Sequence, residues 1–508
     1  MRQIIVPLLA LYAILACDAA KLNVDSIYWK ERAKILNTEA ESWIGGQLRL
    51  EEGERLANDV LMTLKLKEFN RAFLNPAEFP PAKSFLTSKQ DIESSDVFRI
   101  IKKMPKGAVL HSHDTAIVST DYVYYNITFR DNLYVCDENE KLRVKFFKRP
   151  TDDCAWKLLS EVRNDANLAR EINQRIQWQM SMVVDDPEKE YPDVNTAWTK
   201  FRDIFMFITP MLTYRPVYED HFYRGLQELY NDNVLYLELR STLPPLYDLD
   251  GTTYGPIDVA RIYKQVTERF SRDHPDFFGA KIIYAPFRQA SHATLKSYLG
   301  VMRELKEKLP NFVAGFDLVG QEDKGNTLIS FAKELKDLDS SVNFFFHAGE
   351  TNWYGSSTDE NLIDAVLLNA KRIGHGYALV KHPEVLRIAR ERKIAIEISP
   401  ISNQVLGLVR DLRNHPGSYL FATGHPVVIS NDDPGLWGSK ALSYDFYQAF
   451  MAMMSKNSDL RSLKQLAINS LEFSSLKSEE KEKAFQAWHR KWNLFVESLT
   501  SSYSAVLI

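Results

Sequence analysis

Eight short apolar runs, separated by stretches of helical pattern, constrain this chain more than any other feature. They are Ala108–Leu110, Val234–Leu239, Ala280–Tyr284, Val313–Leu318, Val342–Phe346, Arg372–Ile373, Ile394–Ile398 and Val427–Ile429. A strand that is apolar on both faces must be covered on both faces. That is the situation of a parallel sheet flanked by helices. Eight strand–helix units predict an α/β fold, the closed (β/α)8 TIM barrel. No repeat of fixed period accompanies the runs. At about 150 residues per domain, a chain of 508 residues with 45% hydrophobic content holds such a barrel with additions, and wholesale disorder is excluded.

Two additions are legible. Residues 20 to about 104 read as helical. Leu56, Val60 and Leu64 fall on one face, Ile100 and Ile101 end a second amphipathic stretch, and Phe79-Pro80-Pro81 punctuates between them. No catalytic pattern lies there, so the segment reads as a packing or dimerisation element ahead of a barrel domain at 105–508. The second addition fills the gap of about 120 residues between Leu110 and Val234, far more than one unit needs. It reads as an inserted subdomain at about 121–185, followed by a helix near Trp198 that returns to the barrel. Beyond Pro434 the chain reads as helical to its end.

The first residues read as a targeting segment. Met1-Arg2 is basic, and Ile4 to Ala16 is a 13-residue apolar run, short of the about 20 needed to span a bilayer. Cys17 and Ala19 are small residues that suit a cleavage site. The segment 1–19 is therefore expected to be a secretory signal peptide, the alternative being an uncleaved anchor. No later stretch looks transmembrane. Loss of Cys17 leaves Cys136 and Cys154, which in an oxidising compartment are expected to pair; two free buried thiols are the alternative. Asn126-Ile127-Thr128 is an N-glycosylation sequon. Lys plus Arg number 63 against 67 Asp plus Glu, a net charge of −4. That balance lacks the electrostatic footprint of a nucleic-acid binder and favours a neutral small-molecule ligand.

The chemistry collects where the strands end, which is where barrels place their sites. His111-Ser112-His113-Asp114 follows the first run, and residues two apart in an extended chain face the same way. His347-Ala348-Gly349-Glu350 follows the fifth. Gly374-His375-Gly376 closes the sixth, its glycines permitting close approach to the backbone. Ser430-Asn431-Asp432-Asp433-Pro434 follows the eighth, and adjacent buried carboxylates are costly unless paired or metal-bound. Four of eleven histidines thus sit at strand ends; the other seven (His221, His274, His292, His382, His415, His425 and His489) read as surface residues. Three imidazoles and a carboxylate suit Zn²⁺ with one position open.

This ordered set resembles the adenosine deaminase family of amidohydrolase barrels, and in particular its secreted type 2, or growth-factor, branch. Further marks are Met104-Pro105-Lys106-Gly107, Gly315-Phe316-Asp317-Leu318-Val319-Gly320, the run from Pro400 to Leu406, and Ala422-Thr423-Gly424-His425-Pro426. The resemblance implies one Zn²⁺ per subunit held by His111, His113, His347 and Asp432. It implies Glu350 as the acid that protonates purine N1 and His375 as the residue that orients and helps deprotonate the attacking water. It places Asp433 and the Gly320 backbone on the purine, with Asp114 and Trp198 beside the ribose. The expected reaction converts adenosine and 2′-deoxyadenosine to inosine and deoxyinosine with release of ammonia, in an extracellular homodimer. Read from the residues alone, His375 remains open as a fifth metal ligand, and Glu350 as one half of an ion pair across the mouth. Phe287 and Gln321 depart from the branch, which often carries His at both positions; they bear on substrate contacts and not on the metal ligands. Two other readings stand beside this one. A different purine or nucleotide deaminase would want basic residues at the mouth for phosphate, and the strand-end motifs supply none. A growth-factor-like ligand for a cell-surface receptor would not need the complete polar set. The absence of any C-x-x-C excludes the cytidine-type zinc deaminases.

Overall fold

A computed structural model describes residues 26–138 and 141–502. The expected signal peptide lies outside the described residues. Eight parallel strands form the centre: β1 (Gly107–His113), β2 (Val234–Ser241), β3 (Ala280–Tyr284), β4 (Val313–Phe316), β5 (His347–Ala348), β6 (Arg372–His375), β7 (Ala395–Ile398) and β8 (Val427–Ile429). They make two four-stranded ladders, β1 to β4 and β5 to β8. Single bridges join the ladders: Phe316 to Phe344 on one side, and Ser112 to Asp432 on the other. The ring is thereby closed, as a (β/α)8 barrel. The fifth strand is shorter than its apolar run; only His347 and Ala348 pair as a ladder, with β6, after the bridge at Phe344.

Helices such as Pro256–Asp273, His292–Lys308 and Pro383–Glu391 follow the strands and cover the ring. Each has an apolar stripe on the barrel; Val259, Tyr263, Val266 and Phe270 are buried on the first of them. Before the barrel, helix Glu52–Leu74 buries Ala57, Val60, Leu61 and Leu64. Leu56 lies off that stripe and is exposed, because the core face runs through position 57 rather than 56. Helix Ser26–Ser42 differs: its residues 27–39 are all exposed, including the apolar Ile27, Trp29, Ile35 and Leu36.

Between β1 and β2 the chain forms a three-stranded antiparallel sheet, with Leu133–Glu138 central between Lys141–Phe146 and Lys157–Leu158. A disulfide links Cys136 to Cys154. Asn126 is exposed on a single π-turn, Val123–Ile127. Helix Val194–Leu212 then leads back to the barrel. Its N-terminus is capped by Asp193, which accepts from the backbone N–H groups of Asn195 and Thr196. That end reaches the mouth, where Val194 packs beside Tyr377 and Leu408 and Asn195 accepts a hydrogen bond from Gln321 Nε2 at 3.0 Å.

Candidate metal and catalytic site

The barrel interior carries charge where most barrels carry aliphatic layers. Below the mouth, Arg240 and Arg372 are buried with Glu238, Glu397 and Asp317. Arg372 donates to Glu397 Oε1 at 2.6 Å and Glu238 Oε2 at 2.7 Å. Arg240 donates to Asp317 Oδ2 at 2.8 Å, Glu397 Oε2 at 2.7 Å and the Leu110 carbonyl at 3.0 Å. Burial works to raise the Glu397 and Asp317 carboxyls. The guanidinium groups and histidines beside them win, and both are held well below the usual range.

Two of these carboxylates aim histidines upward. Glu397 Oε2 meets His111 Nδ1 at 2.9 Å, and Asp317 Oδ2 meets His347 Nδ1 at 2.6 Å. A carboxylate acceptor fixes the N–H at Nδ1 and leaves the Nε2 lone pair free to ligate. His347 is buried, and despite Asp317 its ring is pushed down to about 3, so it is neutral. The backbone helps the convergence: His375 and Asp432 both have φ in the left-handed region, 60° and 56°. Such a conformation is unusual for these residue types and persists only where the surroundings impose it.

The donors gather at one point. Ligand atoms of His111, His347, His375 and Asp432 lie within 4.8 Å of one another, as do those of His113, Asp432 and Asp433. Asp432 Oδ1 is 3.1 Å from His111 Nε2 and 3.0 Å from His113 Nε2, and the two nitrogens are 3.3 Å apart. Asp432 Oδ1 is nevertheless buried without a hydrogen bond. Close approach without hydrogen-bond geometry is what ligands around a shared cation show. Four-coordinate zinc with bonds of about 2.0–2.1 Å has ligand–ligand edges near 3.3 Å. The residues present therefore fit a divalent metal.

Two further carboxyls at the mouth are incompletely satisfied. Glu350 Oε1 and Asp433 Oδ1 are buried and meet no hydrogen-bond partner. Burial, then the carboxylates of Asp432 and Glu322, push Glu350 well above its ordinary range. Burial and Asp432 do the same to Asp433. Glu350 is held through its backbone, its N–H donating to Glu322 Oε2 at 2.7 Å. His375 Nε2 lies 3.6 Å from Glu350 Oε1 and 3.9 Å from Asp432 Oδ2.

The remaining expected contacts spread around the rim. Asp114 is buried with its carboxylate already engaged: Oδ2 accepts from Ser241 at 2.6 Å and Tyr263 at 2.8 Å. Trp198 is half-buried on the returning helix, stacked edge-on against Phe201. Gly320 adopts φ 107°, and a Cβ there would fall 2.8 Å from Gln289 Oε1. Phe287 is 55% exposed. Of the histidines read as surface residues, His221, His415 and His425 are instead buried. Glu397, Asp317, Arg240 and Asn403 had no assigned role in the sequence reading. Their signal was there in part: a lone charge inside an apolar strand, as in Ala395-Ile396-Glu397-Ile398, must find a partner.

Known proteins agree with this geometry. The family description "Adenosine deaminase" matches residues 171–488, and "Adenosine/AMP deaminase N-terminal" matches residues 8–101. An adenosine deaminase of Phlebotomus duboscqi is 46% identical over 98% of this chain and 97% of its own. Adenosine deaminase 2 of Homo sapiens is 42% identical over 92% and 93%. Among solved structures, a zinc-bound amidohydrolase from Burkholderia ambifaria shares the fold at TM-score 0.54 and 18% identity, over 80% of this chain and 95% of its own. Relatives of such identity matched along nearly their whole length, on a barrel whose mouth gathers these donors, settle the kinship: the chain belongs to the adenosine deaminase family.

Proposed function

We propose that the protein is a secreted, zinc-dependent deaminase that hydrolyses adenosine and 2′-deoxyadenosine to inosine and deoxyinosine, releasing ammonia and lowering extracellular adenosine. The observation that carries the reading is the pairing at one mouth of a metal-competent cluster with Glu350, a buried carboxyl whose free oxygen faces it. His111, His113, His347 and Asp432 would hold the ion. Zinc at such a site lowers the pKa of a water ligand to about 7 and so supplies hydroxide at neutral pH.

The chain's own residues do the rest. Glu350, kept protonated by burial and by neighbouring carboxylates, offers its proton to the purine N1 and makes C6 electrophilic. Asp433, with Oδ1 unengaged, hydrogen-bonds the purine ring, and the Gly320 backbone lines its edge. His375 orients the oxygen that attacks C6. Asp114 and Trp198 border the ribose. The capped start of helix Val194–Leu212, tied to Gln321, narrows the entrance and limits water.

Secretion is supported by the apolar N-terminal run and by the Cys136–Cys154 disulfide, a bond kept in oxidising compartments. Among the described residues no helix is long and apolar enough to cross a membrane. Exposed Asn126 is the glycosylation candidate. The exposed apolar side chains of helix Ser26–Ser42 support a homodimer through the N-terminal helices, which light scattering tests: a monomer mass rejects it. For the reaction, zinc-loaded protein should convert adenosine to inosine, seen as falling absorbance near the adenosine maximum. Zinc-loaded, folded protein that leaves adenosine untouched overturns the reading.

A further inference from the structure

Three histidines of the cluster have Nε2 turned toward a neighbouring ligand or carboxyl and Nδ1 held from behind, but they are not held alike. His111 and His347 rest Nδ1 on carboxylates, at 2.9 and 2.6 Å. His375 rests Nδ1 on a carboxamide, Asn403 Nδ2, at 3.2 Å. A carboxylate accepts and fixes the N–H at Nδ1; an amide NH₂ donates and requires a lone pair there.

Which end of the Asn403 amide faces His375 is decided two residues further back. The Gly417 backbone N–H, which can only donate, lies 2.9 Å from His415 Nδ1. His415 is 2% exposed, and burial pushes its ring down to about 3, so it is neutral and carries one N–H. With Nδ1 accepting, that N–H is at Nε2, and it donates to Asn403 Oδ1 at 2.9 Å. Asn403 is 0% exposed and therefore turns its NH₂ to His375. Glycine at 417 makes the first link possible, since a Cβ there would sit 2.9 Å from His415 Nδ1.

We infer that Asn403 and His415 are positioning residues that fix neutral His375 as its Nε2–H tautomer, making it a hydrogen-bond donor into the site. An imidazole in that form has no Nε2 lone pair to give a metal, so His375 is not a fifth ligand. It takes no proton from water either; it holds, through Nε2–H, an oxygen lying toward Glu350 and Asp432. The assignment of that oxygen to the attacking species rests on the deaminase reading; the tautomer does not.

The test is the ring ¹⁵N spectrum of full-length, histidine-labelled protein, recorded zinc-free and zinc-loaded, with the His375 signals assigned by their loss in His375→Gln. The inference expects an unprotonated Nδ1 and a protonated Nε2 in both states. Asn403→Asp places an acceptor between the two rings. It should invert the His375 pattern and lower kcat about 10²-fold or more at unchanged zinc content and KM, as loss of a positioned proton-bearing group does. His415→Gln keeps a donor to Asn403 and should retain the wild-type pattern, whereas His415→Leu should lose it. An Nδ1–H signal for His375 in the wild-type protein overturns the inference, whether or not the variants fold. An Asn403→Asp protein with unaltered ring shifts also overturns it. Failure to deaminate adenosine would sink the functional reading and leave the tautomer assignment standing.

Discussion

The mouth of the barrel and the layer beneath it are built from the same kinds of side chain and have opposite accounts to settle. In the lower layer every charge meets its complement: the two guanidinium groups of Arg240 and Arg372 are forked across Glu238, Glu397 and Asp317. In the upper layer Glu350, Asp432 and Asp433 each keep an oxygen without a hydrogen bond. Buried polar groups cost free energy unless satisfied. The contrast therefore separates scaffold from working surface. The lower layer aims the imidazoles and stays fixed; the upper layer is left incomplete for a metal and a substrate to complete.

That contrast can be broken at either level. The largest effect belongs to the mouth: Glu350→Gln should keep its zinc, measured by elemental analysis, and lose turnover by about 10²- to 10⁴-fold, the usual contribution of a positioned acid. Retained activity would move the proton donor elsewhere. Next comes the lower layer. Arg372→Met strips two buried carboxylates of their counter-charge and should destabilise the fold by about 3–5 kcal/mol in denaturant unfolding; a neutral result would mean the layer is hydrated. Asp317→Asn touches the join between the layers. It removes the acceptor that orients His347 and should weaken zinc binding about 10- to 100-fold in a chelator competition.

The smallest effect concerns pH. The Glu350 carboxyl is raised above its ordinary value of 4.5 by burial and by Asp432 and Glu322. Below 4.5 the folded and unfolded chains are both protonated there. Above it the folded chain holds a proton that the unfolded chain has released, so stability falls as pH rises toward the folded pKa. In zinc-free protein, Glu350→Gln should therefore melt at the wild-type temperature near pH 4 and above it near pH 7. Equal melting temperatures at both pH values would show that Glu350 is not strained in the resting fold. One substitution would then stabilise the fold and abolish turnover, as expected where a site stores unfavourable electrostatics.

The upper layer was far more legible in the sequence than the lower. His111, His113, His347, His375, Asp432 and Glu350 stand at strand ends among glycines and small residues, where a polar side chain has no structural excuse. Glu397, Arg372 and Arg240 stand inside apolar strands, and sequence pattern cannot say which distant strand supplies the partner. His415 was the plainest error: lying in a loop beside Asn414 and Pro416, it reads as solvent-facing, and only tertiary packing against Tyr377 buries it. Leu56 failed for a smaller reason. A helical stripe inferred from three apolar positions has a rotational uncertainty of about one residue, and the true face runs through Ala57 and Leu61. The strand count held because continuous apolar runs specify buried parallel strands; the fifth was misjudged in length because its phenylalanines pack in the core while making only one bridge.

The seam where the ring closes deserves one more consequence. Ser112 lies between two expected ligands and Asp432 is a third, and these two residues, 320 positions apart, form the bridge that joins first strand to last. Contacts this distant in the chain form late, after most loop-closure entropy has been spent. A ribosome-bound or truncated chain that lacks β8 has most of a barrel and three histidines, yet no aspartate to finish the set. Catalytic competence thus doubles as an integrity check: a molecule that turns over has finished folding.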